Sequence, residues 1–125
     1  MANVVIIDDN LAQVQAVIAE LKAPDFNTTS LETADAGYDY LLANHQSVDL
    51  LILDYHLPEM SGIDILRKLV DNNIEYHFPV LMLTSESEVP GSEIKRLNVV
   101  SWIVKPITEG RWVDIASKTM EFFKK

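Results

Sequence analysis

Four short apolar runs in this chain each end at a polar residue that could take part in chemistry. The runs are residues 4–7 before Asp8 and Asp9, 50–53 before Asp54, 80–83 before Thr84, and 102–104 before Lys105. Apolar runs of this length without polar alternation are typical of parallel strands that are buried on both faces. Ligands of open parallel α/β sheets bind at the carboxyl ends of the strands. The pattern therefore predicts one cleft that collects three carboxylates, a hydroxyl and an ammonium group.

The segments between these runs predict a repeating βα pattern without a linker. Phe26–Leu31 is polar and is expected to form a strand at the edge of the sheet. Five helices are predicted from apolar side chains at helical spacing and from residues that start or stop helices. The first begins after Asn10 and ends before Pro24, and the second covers Ala34–Asn44. The third begins after Ser61. The fourth covers 90–97, and the fifth covers 108–124. Five strands alternating with five helices indicate a single α/β domain over residues 1–125.

Composition excludes several classes of function. Nineteen acidic against ten basic side chains give a net charge of −9, so the surface as a whole repels nucleic-acid phosphates and anionic lipid. The chain has no cysteine, which excludes disulfides, thiolate metal sites and cysteine nucleophiles. No stretch reaches the roughly 18 to 20 apolar residues of a membrane span. We therefore expect a cytoplasmic domain that binds neither nucleic acid nor membrane directly.

The polar residues at the strand ends also match a known pattern. In chain order they are Asp8-Asp9, Asp54 with Pro58 and Gly62 four and eight positions later, Thr84-Ser85, and Lys105-Pro106. This arrangement resembles the signature of the response-regulator receiver domain of two-component signalling. The resemblance implies a flavodoxin-like, doubly wound sheet of five parallel strands in the order 2-1-3-4-5. It also implies that Asp54 accepts a phosphoryl group from a phosphohistidine of a sensor histidine kinase or histidine phosphotransfer protein.

Three carboxylates at one sheet edge predict a bound cation. Two carboxylates about 4 Å apart repel each other by about 4 kcal/mol at an effective dielectric constant of roughly 20. Mg²⁺ relieves this repulsion and prefers octahedral coordination by one or two carboxylates, water and phosphate oxygen. We therefore expect Asp9 and Asp54 to bind Mg²⁺ directly and Asp8 to hold a metal-bound water. The resemblance implies that the backbone carbonyl oxygen of His56 is a further ligand.

The other residues of the pattern suit phosphoryl transfer. A carboxylate can attack phosphorus in line, because the transition state is loose and catalysis rests on positioning and charge neutralisation. Lys105 would neutralise phosphoryl charge, and Thr84 would donate its hydroxyl to a phosphoryl oxygen after transfer. Ser85 is small enough to leave the phosphate room. The resemblance implies that the peptide bond before Pro106 is cis and aims the ammonium group of Lys105 inward.

The chain departs from the family pattern in the part expected to transmit the signal. Trp102 stands where the family has a smaller aromatic switch residue, and we expect its indole to stay largely outward. Glu86 and His56 are expected to border the path of the water that hydrolyses the phosphate. Asn98-Val99-Val100 replaces the small-Gly-small segment usual before the last strand. These departures concern transmission, whereas the residues for phosphoryl transfer are all present.

The sequence predicts a phosphorylation switch rather than a turnover enzyme, with self-catalysed phosphorylation and dephosphorylation. Its output is expected to be a changed affinity for a downstream effector protein or an attached output domain. A homodimer through the face of the fourth helix, fifth strand and fifth helix is a further expected output. Two alternatives stay open: a magnesium-dependent phosphohydrolase that forms an aspartyl-phosphate, and an interaction module that works without phosphorylation. Haloacid dehalogenase-like phosphohydrolases carry the nucleophile after their first strand, whereas Asp54 follows the third.

Overall fold

Five parallel strands form one sheet in the order β2-β1-β3-β4-β5 in the computed structural model, which describes residues 2–22, 26–85, 96–107 and 109–124. The strands are β1 (Ala2–Ile7), β2 (Phe26–Leu31), β3 (Leu50–Asp54), β4 (Val80–Thr84) and β5 (Val99–Val104). Every neighbouring pair is parallel. The strand order and the flavodoxin-like architecture confirm the prediction, including the placement of β2 at an edge.

Four α-helices and one short 3₁₀ helix lie within the described residues. They are α1 (Leu11–Lys22), α2 (Ala34–Asn44), the 3₁₀ helix His45–Ser47, α3 (Gly62–Asp71) and α4 (Trp112–Phe123). The predicted helix at 90–97 lies outside the described residues except for its last two positions. None of the helices described is long and apolar enough to span a membrane.

The C-terminal helix begins later than the sequence predicts. The predicted range is 108–124, but α4 starts at Trp112. Gly110 has φ 85°, in the left-handed region that a right-handed helix cannot contain. The Trp112 side chain is buried against the sheet together with α1. The glycine therefore delays the helix, and burial of the tryptophan fixes its first turn.

The central strands pack into two cores, one on each face of the sheet. All residues of β3 and β4 are buried, which explains why their sequences lack polar alternation. One core joins the sheet to α2 and α3, and the other joins it to α1 and α4. A Cβ atom on Gly37 of α2 would lie 2.6 Å from Ile7 Cδ1. Glycine in the middle of this helix therefore allows α2 to pack closely on β1.

Local hydrogen bonds fix the helices that follow the acidic strand ends. Asn10 Oδ1 accepts a hydrogen bond from Gln13 N at 3.1 Å, which caps α1. Ser61 and Asp64 form a reciprocal capping box at the start of α3. Both contacts confirm the predicted helix starts. The loops that carry the acidic residues therefore run into firmly anchored helices.

Asn98 turns the chain into β5 with a left-handed backbone conformation. Its backbone has φ 62°, and asparagine tolerates this left-handed conformation better than most residues. Its carbonyl oxygen accepts a hydrogen bond from Val80 N at 2.8 Å, and its Nδ2 donates to Tyr76 O at 3.3 Å. The pairing of β4 with β5 shifts by one residue directly after Val80. This extra residue in β5 opposite β4 has the form of a β-bulge shortly after Asn98.

Candidate functional site

Three acidic side chains meet at the carboxyl edge of the sheet. Carboxylate oxygens of Asp8, Asp9 and Asp54 all lie within 4.8 Å of one another. Asp8 and Asp54 are buried, with 0% and 4% exposure, whereas Asp9 is exposed. The three residues follow the adjacent strands β1 and β3, so the pairing of these strands brings them together. A cluster of oxygen ligands that is open on one side suits a hard divalent cation such as Mg²⁺.

Lys105 supplies the only ammonium group that lies at this cluster among the residues that the structure describes. Its Nζ atom lies 3.6 Å from Asp8 Oδ2 and 3.4 Å from Asp54 Oδ2. Its backbone N–H donates to Thr84 O at 2.7 Å, which holds the end of β5 beside β4. The peptide bond between Lys105 and Pro106 is cis, as the resemblance implies. One ammonium group cannot neutralise three carboxylates, so the site keeps a negative charge that a divalent cation would balance.

Asp8 is a buried carboxyl group with a raised pKa. Burial raises its pKa above the ordinary value, and the nearby charge of Asp54 raises it further; the hydrogen bond from Asn10 N and the Lys105 ammonium oppose the rise. Asp8 Oδ1 accepts from Asn10 N at 2.9 Å. The buried Oδ2 atom accepts no hydrogen bond from any residue that the structure describes. An unsatisfied buried acceptor costs about 1–3 kcal/mol, and a metal-bound water would satisfy it. The donor set therefore fits Mg²⁺.

Asp54 is held at the end of β3 by contacts on both sides. Its Oδ1 atom accepts from His56 N at 3.1 Å, so its Oδ2 atom is the one that faces Lys105. A Cβ atom on Gly62 would lie 2.7 Å from Asp54 O. Only glycine therefore lets α3 begin this close to the backbone carbonyl of Asp54. This contact gives a physical reason for the glycine eight positions after Asp54.

The hydroxyl and small residues of the pattern lie on the neighbouring strand. Thr84 is the last residue of β4 and is 1% exposed. β3 and β4 pair as far as Asp54 opposite Leu83, which places Thr84 one position further along the same edge. Ser85 is exposed beyond it. The structure thus brings together the strand ends that carry Asp8, Asp54, Thr84 and Lys105.

Trp102, which the resemblance places at an aromatic switch position, is not fully exposed in the structure. Trp102 is half-buried, and its ring centroid lies 5.6 Å from that of Tyr55. Its Nε1 atom is buried and has no hydrogen-bond partner within the described part of the chain. Packing against Tyr55 removes aromatic surface from water, and this favours the half-buried position. That the indole stays largely outward when Asp54 is phosphorylated remains a prediction; in this structure the ring is half-buried against Tyr55.

The structure describes one of the two residues that are expected to border the hydrolytic water. His56 is exposed, and its ring meets that of Tyr55 edge-on at 4.8 Å. Glu86 lies outside the described residues, so its predicted contact with His56 is not placed.

Two residues near the site escape sequence reasoning. Tyr55 packs between His56 and Trp102, and Glu59 Oε1 accepts a hydrogen bond from Ala34 N at 2.8 Å. The Tyr55 contact joins β3 to β5, and the Glu59 contact joins the loop after β3 to α2. Neither contact leaves a local sequence signal, because the partners are 47 and 25 positions apart.

Comparison with known proteins identifies the family. A model described as response regulator receiver domain matches residues 4–117. Chemotaxis protein CheY of Pseudomonas aeruginosa is 32% identical over 106 residues, which cover 83% of this chain and 85% of that protein. Cell cycle transcriptional regulator CtrA of Caulobacter vibrioides is 36% identical over 86 residues, which cover 69% of this chain and 36% of that protein.

A solved structure agrees with this assignment. The CheY-like response regulator receiver domain protein from Methanospirillum hungatei superposes with a TM-score of 0.82 at 26% identity and covers 98% of this chain and 97% of that one. The chain thus spans most of the length of CheY but only 36% of that of CtrA. It belongs to the response regulator receiver domain family of two-component systems.

Proposed function

We propose that Asp54 accepts a phosphoryl group from a phosphohistidine of a sensor histidine kinase or histidine phosphotransfer protein. Receiver domains act as phosphoacceptor switches rather than as turnover enzymes, and the chain belongs to that family. The observation that carries the proposal is the position of Asp54 Oδ2, which faces Lys105 Nζ at 3.4 Å inside the cluster with Asp8 and Asp9. A buried carboxylate beside a cation and a cation-binding cluster is placed to meet an incoming phosphoryl group.

The metal-binding role is assigned to the acidic cluster. Asp9 and Asp54 would bind Mg²⁺ directly, Asp8 would hold a metal-bound water, and the His56 backbone carbonyl would be a further ligand. Bound Mg²⁺ supplies charge neutralisation at the phosphoryl oxygens. Asp8 Oδ2, which is ion-paired with Lys105 but accepts no hydrogen bond within the described residues, and the excess negative charge of the site support this assignment.

Transfer requires one bond to form and one to break. An Asp54 carboxylate oxygen attacks phosphorus in line, the bond from phosphorus to the donor's imidazole nitrogen breaks, and the neutral histidine leaves. Lys105 balances the charge on the phosphoryl oxygens, and Thr84 donates its hydroxyl to one of them afterwards. Ser85 is exposed and small, so it leaves the phosphate accessible to solvent. The proposal includes self-catalysed phosphorylation from small phosphodonors and self-catalysed hydrolysis.

The output of the switch is proposed at the β5–α4 side of the molecule. The groove between β5 and α4 is lined by apolar side chains that include Ile103, Ile115 and Phe122, and Phe122 is 68% exposed. Phosphorylation would change the affinity of this face for a downstream effector, an attached output domain or a second copy of the chain. This face contains two elements of the predicted dimer face, β5 and the C-terminal helix α4. The third element, the helix predicted at 90–97, lies outside the described residues except for its last two positions.

The remaining assignments rest on sequence and family. We propose one receiver domain over residues 1–125, working in the cytoplasm. A net charge of −9 argues against direct binding of nucleic acid by this domain. No observation favours a phosphohydrolase, and the paired Asp54 and Lys105 argue against a module that works without phosphorylation.

Intact-mass measurement after incubation with Mg²⁺ and acetyl phosphate tests the proposal. The wild-type protein should gain the mass of one phosphoryl group, and both Asp54→Asn and addition of EDTA should abolish the gain. Asp49→Asn is a matched control, because Asp49 directly precedes β3 at its opposite end. Labelling that survives in Asp54→Asn, or that is equal in EDTA, would refute the proposal. Turnover of a phosphomonoester beyond one equivalent per protein would instead support the phosphohydrolase.

A further inference from the structure

The connection between β2 and α2 contacts both loops that carry the acidic residues. We call residues 31–34 the junction. Leu31 O accepts a hydrogen bond from Asp8 N at 3.2 Å. Three residues later, Ala34 N donates to Glu59 Oε1 at 2.8 Å. Asp8 belongs to the loop after β1, and Glu59 belongs to the loop after β3, so the junction links the two loops.

The loop after β3 is held firmly at its ends. Tyr55 N donates to Leu83 O at 2.7 Å, and Gly62 N donates to Tyr55 O at 2.9 Å. His56 also pairs with Ser61 across the loop. These contacts fix where the loop leaves β3 and where it enters α3, and the side chain of Leu57 packs into the core at the middle of the loop.

Glu59 adds a hydrogen bond from the middle of this loop to α2. Leu57 is buried, whereas Glu59 is exposed and sends its carboxylate across to the first turn of α2. The first N–H groups of a helix have no partner within the helix, and the helix dipole favours a negative charge there. The N-cap residue Thr33 satisfies Ala36 N, and Glu59 satisfies Ala34 N. Two acceptors from separate parts of the chain therefore complete this helix end.

We propose that Glu59 is a positioning residue for the Mg²⁺ site, which holds the His56 carbonyl at a fixed distance from Asp8 and Asp9 by tying the loop after β3 to the junction. This inference rests on the proposed function, since it takes His56 O as a metal ligand. Outer groups that orient metal ligands are typically worth about 10- to 100-fold in metal affinity. Glu59 acts from the middle of the loop and is exposed, so we expect its loss to lower the Mg²⁺ affinity by less than this range.

The test is titration of Mg²⁺ by calorimetry into the wild-type protein and three variants. Glu59→Ala should raise the Mg²⁺ dissociation constant about 3- to 10-fold. Glu59→Gln keeps an acceptor oxygen and should stay within about twofold of the wild type. Thr33→Ala removes the other acceptor from the same helix end without touching the loop, and it should also stay within about twofold. Hydrogen exchange should accelerate at the Ala34 amide in Glu59→Ala but not in Glu59→Gln.

These variants separate positioning from loss of helix stability. An unchanged Mg²⁺ affinity in Glu59→Ala would overturn the inference while leaving the proposed function intact. An equal loss in Thr33→Ala and Glu59→Ala would overturn it as well, because fraying of α2 would then be the cause. A wild-type protein that binds no Mg²⁺ would overturn the proposed metal site and this inference together.

Discussion

β3 and β5 both end at the candidate site, but they are built differently. β3 lies at the centre of the sheet and is buried at all five positions, ending in Asp54. β5 lies at the edge, is partly exposed along its length, and ends at Val104 before Lys105. The central strand has neighbours on both sides, whereas the edge strand has one and contains a bulge. The acceptor thus lies on the firmly packed part of the sheet, and the proposed response lies on the part with fewer contacts.

The difference indicates how one small domain combines fixed chemistry with movement. A phosphoryl acceptor requires ligands held within tenths of an ångström, which close packing provides. A switch requires an element whose rearrangement is inexpensive, and regions with few buried contacts have low local stability. We infer that phosphorylation at the end of β3 changes mainly the β5 side, and the following predictions test this division.

The largest effect is expected from removal of the site's ammonium group. Lys105→Ala should slow phosphorylation by acetyl phosphate about 10²- to 10³-fold, since loss of a preorganised charge-stabilising group typically costs that much. Lys118→Ala is the control, because Lys118 is exposed on α4 and pairs with Asp114 at 3.1 Å. Phosphorylation rates followed by intact mass would distinguish them. Equal rates in the two variants would mean that Lys105 does not act in transfer.

The second prediction compares two glycines, one beside each strand. Gly62→Ala should lower the free energy of unfolding by about 2 to 3 kcal/mol, because the added Cβ meets Asp54 O and the surrounding packing is tight. Gly110→Ala should cost only about 1 kcal/mol, because nothing lies near its Cβ and only the left-handed φ opposes alanine. Urea unfolding of both variants measures the difference. A larger cost at Gly110 would reverse the proposed order of rigidity.

The third prediction concerns the contact that anchors α4 to α1. Glu20 accepts hydrogen bonds from Gly110 N at 3.0 Å and Trp112 N at 2.9 Å, and the N-cap residue Arg111 supplies no side-chain cap. Glu20→Ala should cost about 1 to 2 kcal/mol of stability, and Glu20→Gln should cost less because it keeps one acceptor. Glu121→Ala on the exposed surface of α4 should stay within about 0.5 kcal/mol of the wild type. If thermal unfolding shows the same loss of stability in Glu20→Ala as in Glu121→Ala, the Glu20 contact contributes no stability.

The smallest effect is expected at the indole of Trp102. Trp112→Phe leaves Trp102 as the only tryptophan, and its emission should shift little when beryllofluoride is added with Mg²⁺. The ring already packs against Tyr55, and forcing extra volume into a packed site typically costs about 1–3 kcal/mol. The Trp102→Phe variant leaves the buried Trp112 as the only tryptophan, and its emission serves as the reference. A large blue shift of Trp102 that disappears in Thr84→Ala would show that the ring moves fully inward.

The sequence predicts the strands and most of the site because buried parallel strands have distinctive apolar runs. Asp8, Asp54 and Thr84 each directly follow or end such a run, so pairing of the strands brings them together. The structure differs where nonlocal contacts decide the outcome. Gly110 and the carboxylate of Glu20, 90 positions away, set the start of α4.

In the edge strand β5, a nonlocal contact likewise decides the position of Trp102. The size of Trp102 favours an outward ring when only its immediate sequence is considered. Tyr55 lies 47 positions earlier and provides the surface on which the ring packs. Likewise, the bulge that follows Asn98 depends on the pairing of β5 with β4. Local propensity therefore predicts the central strands well and the edge strand less well.

Chemical mapping of the phosphorylated residue tests the central claim most directly. Borohydride reduces an acyl phosphate to an alcohol, so a phosphorylated aspartate becomes homoserine and can be located by peptide mass spectrometry. After treatment with acetyl phosphate and Mg²⁺, the account predicts homoserine at Asp54, with Asp8 and Asp9 unmodified. Homoserine at Asp8 or Asp9, or at none of the three in a protein that has gained phosphoryl mass, would contradict it.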